Sequence, residues 1–244
     1  MPRLLIQLVW AIWLASPVLG SVFEDANKLY EQGQYSEAIP LYQNLLESGR
    51  QSPGVLFNLG NAYFKSGQLG RAIFHYQLAQ RIAPRDPDIQ ANLRFARDRV
   101  SGSNSLQPGP LDRFLRYFTL NELATVSMLL LWLWIGLLCL NRARPALRAA
   151  LRPYLAACAA LFVAVNLFLA AAWRQAAQPV AILIQRQATI HLGPLRESQP
   201  AYTATDGTEL RVLARREDWL QVEDRSQRTG WLNVRDALVF SALD

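Results

Sequence analysis

The apolar residues of this chain are concentrated in three long runs: Leu4 to Leu19, Leu123 to Leu140 and Tyr154 to Trp173. The second run, with its flank, covers 122–140, and the third covers 154–173, which corresponds to helices of roughly 28 and 30 Å. These lengths match the hydrocarbon core of a bilayer, where only a helix satisfies the backbone polar groups of a lone segment. The pattern therefore predicts two transmembrane helices, at 122–140 and 154–173.

The first apolar run has the features of a secretory signal. It follows the single charge of Arg3 and ends in small residues up to Gly20. Such a segment directs the chain that follows it across the membrane. The sequence predicts a signal peptide over 1–20, either cleaved after Gly20 or retained as an anchor.

The segment between the two predicted membrane helices is basic. Four arginines, Arg142, Arg144, Arg148 and Arg152, lie in or beside the loop 141–153. Short loops rich in Arg and Lys stay on the cytoplasmic side. We therefore expect a two-pass protein of the bacterial inner (plasma) membrane, with residues 21–121 and 174–244 on the extracytoplasmic, periplasmic side.

Several residues fit the ends and the packing of the two membrane helices. Thr119 and Glu122 have the spacing of a capping box, and Pro153 suits a first helical turn. Asn166 and Ser127 lie at comparable depth, so Asn166 either bonds within the hairpin or contacts a partner's membrane helix. In addition, small residues at a four-residue spacing allow close helix packing, as found at Ala156, Ala160 and Ala164.

The region before the first membrane helix, 101–121, divides into two parts. Ser101 to Pro110 has the composition of a flexible linker. The apolar stripe Leu111, Phe114, Leu115 and Phe118 then has helical spacing, with arginines off that face. This predicts a short interfacial helix in contact with the outer leaflet.

An internal repeat occupies 21–100, and its period of about 34 residues is typical of arrays of helical hairpins. Its residue types resemble those of the tetratricopeptide repeat, and the second copy agrees at nine positions: Leu56, Leu59, Gly60, Tyr63, Gly67, Ala72, Tyr76, Ala79 and Pro84. The first copy has Arg50 where the motif has proline, and the third supplies one helix only. The resemblance implies an all-α module of about two and a half repeats and five helices. Because arrays usually need about three repeats, we expect it to depend on the membrane or a partner for stability.

Repeats of this family hold a protein partner on the face lined by the first helix of each pair. The resemblance places five polar residues on that face: Asn27, Asn58, Asn61, Lys65 and Asn92. Asparagine amides can bind a peptide backbone through both donor and acceptor; the alternative is a solvated polar face. The basic residues of a carboxylate clamp are missing, since Phe23, Asp88 and Asn92 occupy their places.

The pattern after the membrane helices changes to short alternating runs. Strands fit Val180–Gln185, Ala188–His191, Glu209–Arg215, Trp219–Glu223 and Gly230–Val234, and Asp206-Gly207 is typical of a hairpin turn. The run from Asp206 through Trp219 to the Gly230-Trp231 pair resembles a bacterial SH3-like domain, which implies a small all-β barrel at 179–244. Trp219 and Trp231 are candidates for its binding surface, the alternative being core and rim packing.

Charge and reactive residues narrow the function classes. The net charge is +6 and the pI about 9.7, but the arginine loop accounts for most of it. Segment 21–100 has nine basic and eight acidic residues, and 179–244 has eight basic and nine acidic. Neither module has the basic surface that nucleic-acid binding requires. Cys139, Cys158, His75 and His191 form no catalytic or metal-ligand spacing, so we expect no enzyme activity, cofactor or metal.

The order of these parts — signal, repeats, membrane hairpin, SH3-like domain — resembles the E member of the Bat (aerotolerance operon) family. Leu120-Asn121-Glu122, Trp132-Leu133-Trp134 and Gly230-Trp231 carry the resemblance. It implies a multi-domain membrane scaffold with membrane-anchored von Willebrand A-type proteins and an associated AAA-type ATPase as partners. The SH3-like domain leaves a second hypothesis open, namely binding or sensing of peptidoglycan.

Overall fold

A computed structural model of the protein describes residues 22–100, 109 and 117–241. Its described residues form two compact units: one joins 22–100 with Pro179–Phe240, and the other contains 117–178. The predicted signal segment, the linker and most of the predicted interfacial helix lie outside the described residues.

The N-terminal part of the first unit is a series of antiparallel helices. They are α1 (22–31), α2 (Tyr35–Glu47), α3 (Pro53–Lys65), α4 (Leu69–Ile82) and α5 (Pro87–Arg99). Gly33 and Gly67 end α1 and α3 with φ of +79°, because a left-handed helix end favours glycine. At each end the following N–H reaches back to a carbonyl five residues earlier, from Gln34 to Leu29 and from Gln68 to Tyr63.

Small residues are required where the helices cross. Ala26, Ala38 and Ala72 are completely buried. A Cβ on Gly60 would lie 2.7 Å from the ring of Tyr76, which is closer than side chains pack in an interior. Contacts between the helices therefore require small residues at these repeat positions.

The C-terminal part of the first unit is an antiparallel sheet of seven short strands. These are β1 (Val180–Leu183), β2 (Gln187–His191), β3 (Pro200–Thr205), β4 (Glu209–Arg216), β5 (Trp219–Glu223), β6 (Thr229–Asn233) and β7 (Ala237–Phe240). Their order in the sheet is β3-β2-β6-β5-β4-β1-β7. Leu183, Ile190, Leu210, Leu220 and Leu232 form its core. The described pairings leave β3 and β7 at the two ends, so they do not close the sheet into a barrel.

The prediction of a hairpin at Asp206-Gly207 is wrong. Gly207 has a φ of +84° and does lie in a tight turn. However, β3 pairs with β2, whereas β4 pairs with β1 and β5. The turn therefore links two strands that are not neighbours in the sheet. The side chain of Asp206 has another role.

That role is to attach the sheet to the helices. The Asp206 carboxylate accepts hydrogen bonds from the backbone N–H groups of Leu69 and Gly70 at 2.8 and 2.9 Å. These groups have no partner within α4 because they belong to its first turn. Burial raises the pKa of Asp206, while the two N–H groups lower it. The β3–β4 turn thus caps α4.

A buried ion pair lies beside this cap. The guanidinium of Arg97 donates two hydrogen bonds to the carboxylate of Glu209, at 2.8 and 2.9 Å, and the Gln77 amide donates to the same carboxylate. Arg97 and Glu209 are 8% and 1% exposed. Removing one partner of such a pair leaves an uncompensated buried charge, so these contacts tie α4 and α5 to β4.

Apolar contacts complete the junction between helices and sheet. A Cβ on Gly70 would overlap the carbonyl oxygen of Leu183, and one on Gly207 would lie 2.6 Å from Val100. The rings of Phe74 and Phe240 are in edge contact at 6.5 Å. The short array of repeats is therefore stabilised by the chain's own sheet. The sequence had led us to expect stabilisation by the membrane or a partner and did not indicate the sheet.

The second unit is a pair of long apolar helices, α6 (Leu120–Ala143) and α7 (Arg148–Ala176), joined through a short 3₁₀ turn (Pro145–Leu147). Both are long and apolar enough to cross a membrane, because 18-residue stretches within Leu120–Ala143 and Pro145–Ala176 have mean hydropathies of 2.3 and 2.4. Their apolar side chains are mostly exposed, unlike those of a core helix. The capping box of Thr119 and Glu122 is present, as predicted.

Two expectations for this unit are wrong. Pro153 lies inside α7, which begins five residues earlier at Arg148, so the helix lacks one interior hydrogen bond there. Ala156, Ala160 and Ala164 are exposed and do not form the contact with α6. That contact includes Ser127, Leu130, Cys158 and Asn166 instead.

Candidate functional site

The candidate asparagines of the repeats form a hydrogen-bonded ladder. The Oδ1 of Asn27 accepts from the Tyr42 hydroxyl at 2.7 Å and from the Asn58 amide at 2.9 Å. The Oδ1 of Asn61 accepts from the Tyr76 hydroxyl at 2.6 Å and from the Asn92 amide at 2.8 Å. The same pair of hydrogen bonds therefore occurs at equivalent positions of successive repeats, 34 residues apart.

The ladder brings α1, α3 and α5 side by side. We call the surface that these three helices line the first-helix face. The asparagines on it are half-buried, and each retains donors or acceptors that the ladder does not use. Burial raises the pKa of Tyr42 to about 12 and also raises that of Tyr76, so both hydroxyls remain donors at neutral pH. The asparagines thus have a structural role before any partner is considered.

The first-helix face becomes aromatic and basic towards α5. Phe95 is 53% exposed and lies 5.5 Å from the ring of Phe64. The guanidinium of Arg99 is 5.5 Å from the centre of the Phe95 ring, within the range of cation–π attraction. Lys65 is exposed on α3. Of these four residues, the sequence reasoning singled out only Lys65.

The two candidate tryptophans lie on one face of the sheet. In the pairing of β5 with β6, Gln221 is opposite Trp231 and Trp219 is opposite Asn233. Residues two apart on a strand share a face, so Trp219 and Trp231 point to the side opposite the buried Leu220 and Leu232. Both tryptophans are half-buried. We call this side the outer sheet face.

An open cavity of about 400 Å³ lies on the outer sheet face. Its lining residues are Thr189, His191, Arg196, Trp219, Asn233, Arg235 and Asp236. The His191 ring is 5.6 Å from that of Trp219, and its Nδ1 is 2.9 Å from the carbonyl oxygen of Ser198. Trp231 lies outside this lining, with the Arg216 guanidinium 5.7 Å from its ring. The cavity combines an aromatic wall with basic, amide and carboxylate groups.

The other histidine of the chain, His75, lies in α4. His75 is packed between Phe74 and Tyr63, and burial lowers its pKa to about 4. Within the ranges 22–100 and 117–241, no group of three or more His, Cys, Asp or Glu residues could hold a metal ion.

The sequence reasoning missed the residues that hold the site together. Tyr42 and Tyr76 could have been linked to the asparagines, because both sets recur with the period of the repeat. Gly70 replaces the Ser36 of the preceding copy, and Arg97 replaces Tyr63. Both replacements lie at the junction with the sheet. Nothing in the local pattern indicates that residues of the β3–β4 region contact them.

Comparison with known families agrees with the repeat architecture. Residues 29–94 match the family model of the tetratricopeptide repeat. The chain is therefore a tetratricopeptide-repeat-containing protein, and such repeats typically form non-enzymatic scaffolds that bind other proteins. A search of curated proteins finds no match for this chain.

Proposed function

We propose that this protein is a membrane-anchored scaffold that presents its repeats and its sheet together, as one extracytoplasmic unit, to protein partners. The observation that supports this most directly is the junction of the sheet with the helices, in which Asp206 caps α4 and Glu209 pairs with Arg97 of α5. It joins two segments that precede and follow the apolar helix pair in the sequence.

This junction constrains the topology of the proposed membrane protein. Segments 22–100 and 180–240 pack against each other, so both must be on the same side of any membrane that α6 and α7 cross. The condition is met if the chain crosses the membrane twice between these segments, and it is not met if the chain crosses once. With the arginine loop 141–153 in the cytoplasm, and a signal peptide at 1–20, the folded unit is periplasmic.

The proposed partner-binding residues are those of the two surfaces described above. On the first-helix face they are Asn27, Asn58, Asn61, Lys65 and Asn92, and on the outer sheet face Trp219 and Trp231. The seven-stranded sheet is proposed as an SH3-like domain on the resemblance of its sequence. The order of parts supports a role in a Bat-type complex, with membrane-anchored von Willebrand A-type proteins and an associated AAA-type ATPase.

Purification of the tagged full chain in mild detergent tests the scaffold. We expect a membrane protein to co-purify in stoichiometric amount and to be lost from the Asn58→Ala, Lys65→Glu double variant. Tyr42→Phe removes a ladder bond without changing the first-helix face, and it should retain the partner. Recovery of no partner by the wild-type chain would overturn the proposal.

Cysteine labelling tests the topology. Single cysteines at Ala146 and Ser226, in a chain without Cys139 and Cys158, should react differently with an impermeant maleimide on spheroplasts. We expect labelling of the Ser226 variant only. External labelling at position 146 would contradict the proposed hairpin.

The cavity beside Trp219 favours a second candidate function, the binding of peptidoglycan. An aromatic wall flanked by Arg196 and Arg235 could contact a sugar ring or a stem peptide with its carboxylates. Detergent-solubilised full-length protein should then sediment with purified sacculi, and Trp219→Ala should abolish this. Equal sedimentation of the wild type and the variant would rule out this cavity as the binding site.

A further inference from the structure

The composition of the first-helix face changes systematically from α1 to α5. Asn27, Asn61 and Phe95 occupy the same position in successive copies of the repeat, and so do Glu31, Lys65 and Arg99. Because the first helices of the copies are equivalent, each set forms a row across the face. One row changes from amide to aromatic, and the other changes from acidic to basic.

The α5 end of these rows has features of a binding surface. Phe95 is half exposed against Phe64, with the Arg99 guanidinium over its ring. Neither Lys65 nor Arg99 has an ion-pair partner within the part of the chain that the structure describes. Aromatic and arginine side chains are the residues most often found to dominate binding energy at interfaces.

The array itself does not require phenylalanine at position 95. The equivalent Asn27 and Asn61 each accept a hydroxyl from the tyrosine fifteen residues later and an amide from the next copy. Phe95 makes neither of these bonds, and its ring contacts the Phe64 ring and the Arg99 guanidinium instead. The ladder therefore stops at Asn92, and Phe95 remains exposed beside it.

We infer that the α5 end of the first-helix face binds an extended segment of a protein partner that alternates acidic and apolar side chains. Lys65 and Arg99 would contact its carboxylates, and Phe64 and Phe95 its apolar side chains. Asn58 and Asn92 each donate one amide hydrogen to the ladder. Their amide oxygens and second amide hydrogens would form hydrogen bonds with the backbone of the partner segment. This inference rests on the proposed scaffold function and specifies the chemistry of the partner.

Charge complementarity selects this occupant. The two exposed cations favour a segment with carboxylates, whereas the acidic residues Glu24 and Glu31 at the α1 end disfavour a polyanion that runs along the whole face. The change from Glu31 on α1 to Arg99 on α5 within one row gives the bound segment a direction. Its acidic part should lie over α5.

Fluorescence anisotropy with synthetic peptides tests the inference on the full chain in detergent micelles. The probe is a labelled nonapeptide of alternating glutamate and leucine. Matched peptides replace glutamate by glutamine or by lysine, or leucine by serine, and protein-free micelles give the background. We expect the glutamate–leucine peptide to bind at least about tenfold more tightly than the other three, more so at low salt.

The variants use residues that the chain itself has at the equivalent positions, so the fold should tolerate them. Phe95→Asn introduces the residue found at Asn27 and Asn61, and Arg99→Glu introduces the residue found at Glu31. Each substitution should weaken binding of the glutamate–leucine peptide about tenfold. Lys28→Glu, an exposed charge reversal on α1, is the control and should leave binding unchanged. Unaltered binding in Phe95→Asn, or equal binding of the lysine peptide, would overturn the inference.

Two further outcomes separate this inference from the scaffold proposal. If the partner that co-purifies with the wild type is retained by the Phe95→Asn, Arg99→Glu double variant, the surface is wrong and the scaffold stands. If the wild-type chain self-associates in sedimentation and the variant does not, a second copy occupies the surface, and the inference also fails.

Discussion

At the scale of single residues, the repeats are held by polar groups that each satisfy two neighbours. Asn61 is typical, because both lone pairs of its oxygen are used, one by Tyr76 and one by Asn92. A half-buried acceptor of this kind cannot be removed without leaving two donors unpaired. This is why the candidate binding residues and the structural residues of this protein overlap.

The ladder predicts unequal effects of substitutions at Asn61 and Tyr76. Asn61→Ala should destabilise the first unit by about 2 kcal/mol, because it leaves two donors without an acceptor. Tyr76→Phe removes one donor and should cost about 1 kcal/mol. Thermal unfolding of the full chain in detergent measures the difference, and equal effects would contradict the shared acceptor.

His75 predicts a pH dependence of stability. Its pKa is lowered to about 4 in the folded protein, from 6.5 in the unfolded chain, because the ring is buried. As the pH falls from about 6.5 to 4, the unfolded chain takes up a proton that the folded chain does not, so the free energy of unfolding decreases. Denaturation at pH 7, 6 and 5 should show this, and His75→Gln should flatten the slope.

At the scale of elements, α4 is the helix on which the two parts of the first unit meet. It packs against its neighbours in the array and against β1 and β7, and its first turn is capped from the β3–β4 turn. The 34-residue repeat predicted the helix, and the short alternating runs predicted five of the seven strands but not β3 or β7. The sequence predicted the wrong role for Asp206-Gly207, since a turn signal does not reveal which strands pair.

The close approach at α4 predicts contrasting effects of glycine substitutions. Gly70→Ala should destabilise the junction, because its Cβ would overlap the carbonyl oxygen of Leu183. Gly54→Ala, at an exposed helical position with open space around it, should be neutral or stabilise by up to about 1 kcal/mol. Comparison of the two melting temperatures measures the contrast.

The buried ion pair predicts a large loss on removal of one partner. Glu209→Gln should cost about 3 kcal/mol or more, because Arg97 then remains buried without its counter-charge. Glu223→Gln, which breaks the exposed pair with Arg211, should cost at most about 1 kcal/mol. Similar losses in both variants would show that the Arg97 pair is not buried in solution.

At the scale of the whole molecule, the junction makes two sequence-distant segments one folded unit. Arg97 and Glu209 are 112 residues apart, and the apolar helix pair lies between them in the sequence. A protease site inserted within 101–107 and cleaved in the full-length protein should leave the repeats bound to the remainder. Gly70→Leu should release them, as size-exclusion chromatography after cleavage would detect.

The sequence by itself determined the features with a short or regular period: the helical repeat, the two apolar helices and the series of short strands. Each depends on contacts between residues that are near in the chain or related by the repeat. Only the tertiary structure decided which polar groups meet, namely the asparagines with Tyr42 and Tyr76, Asp206 with the start of α4, and Glu209 with Arg97. The physical reason is that these groups are satisfied across long sequence separations, where hydrogen-bond geometry and burial select the partner and no local pattern records it.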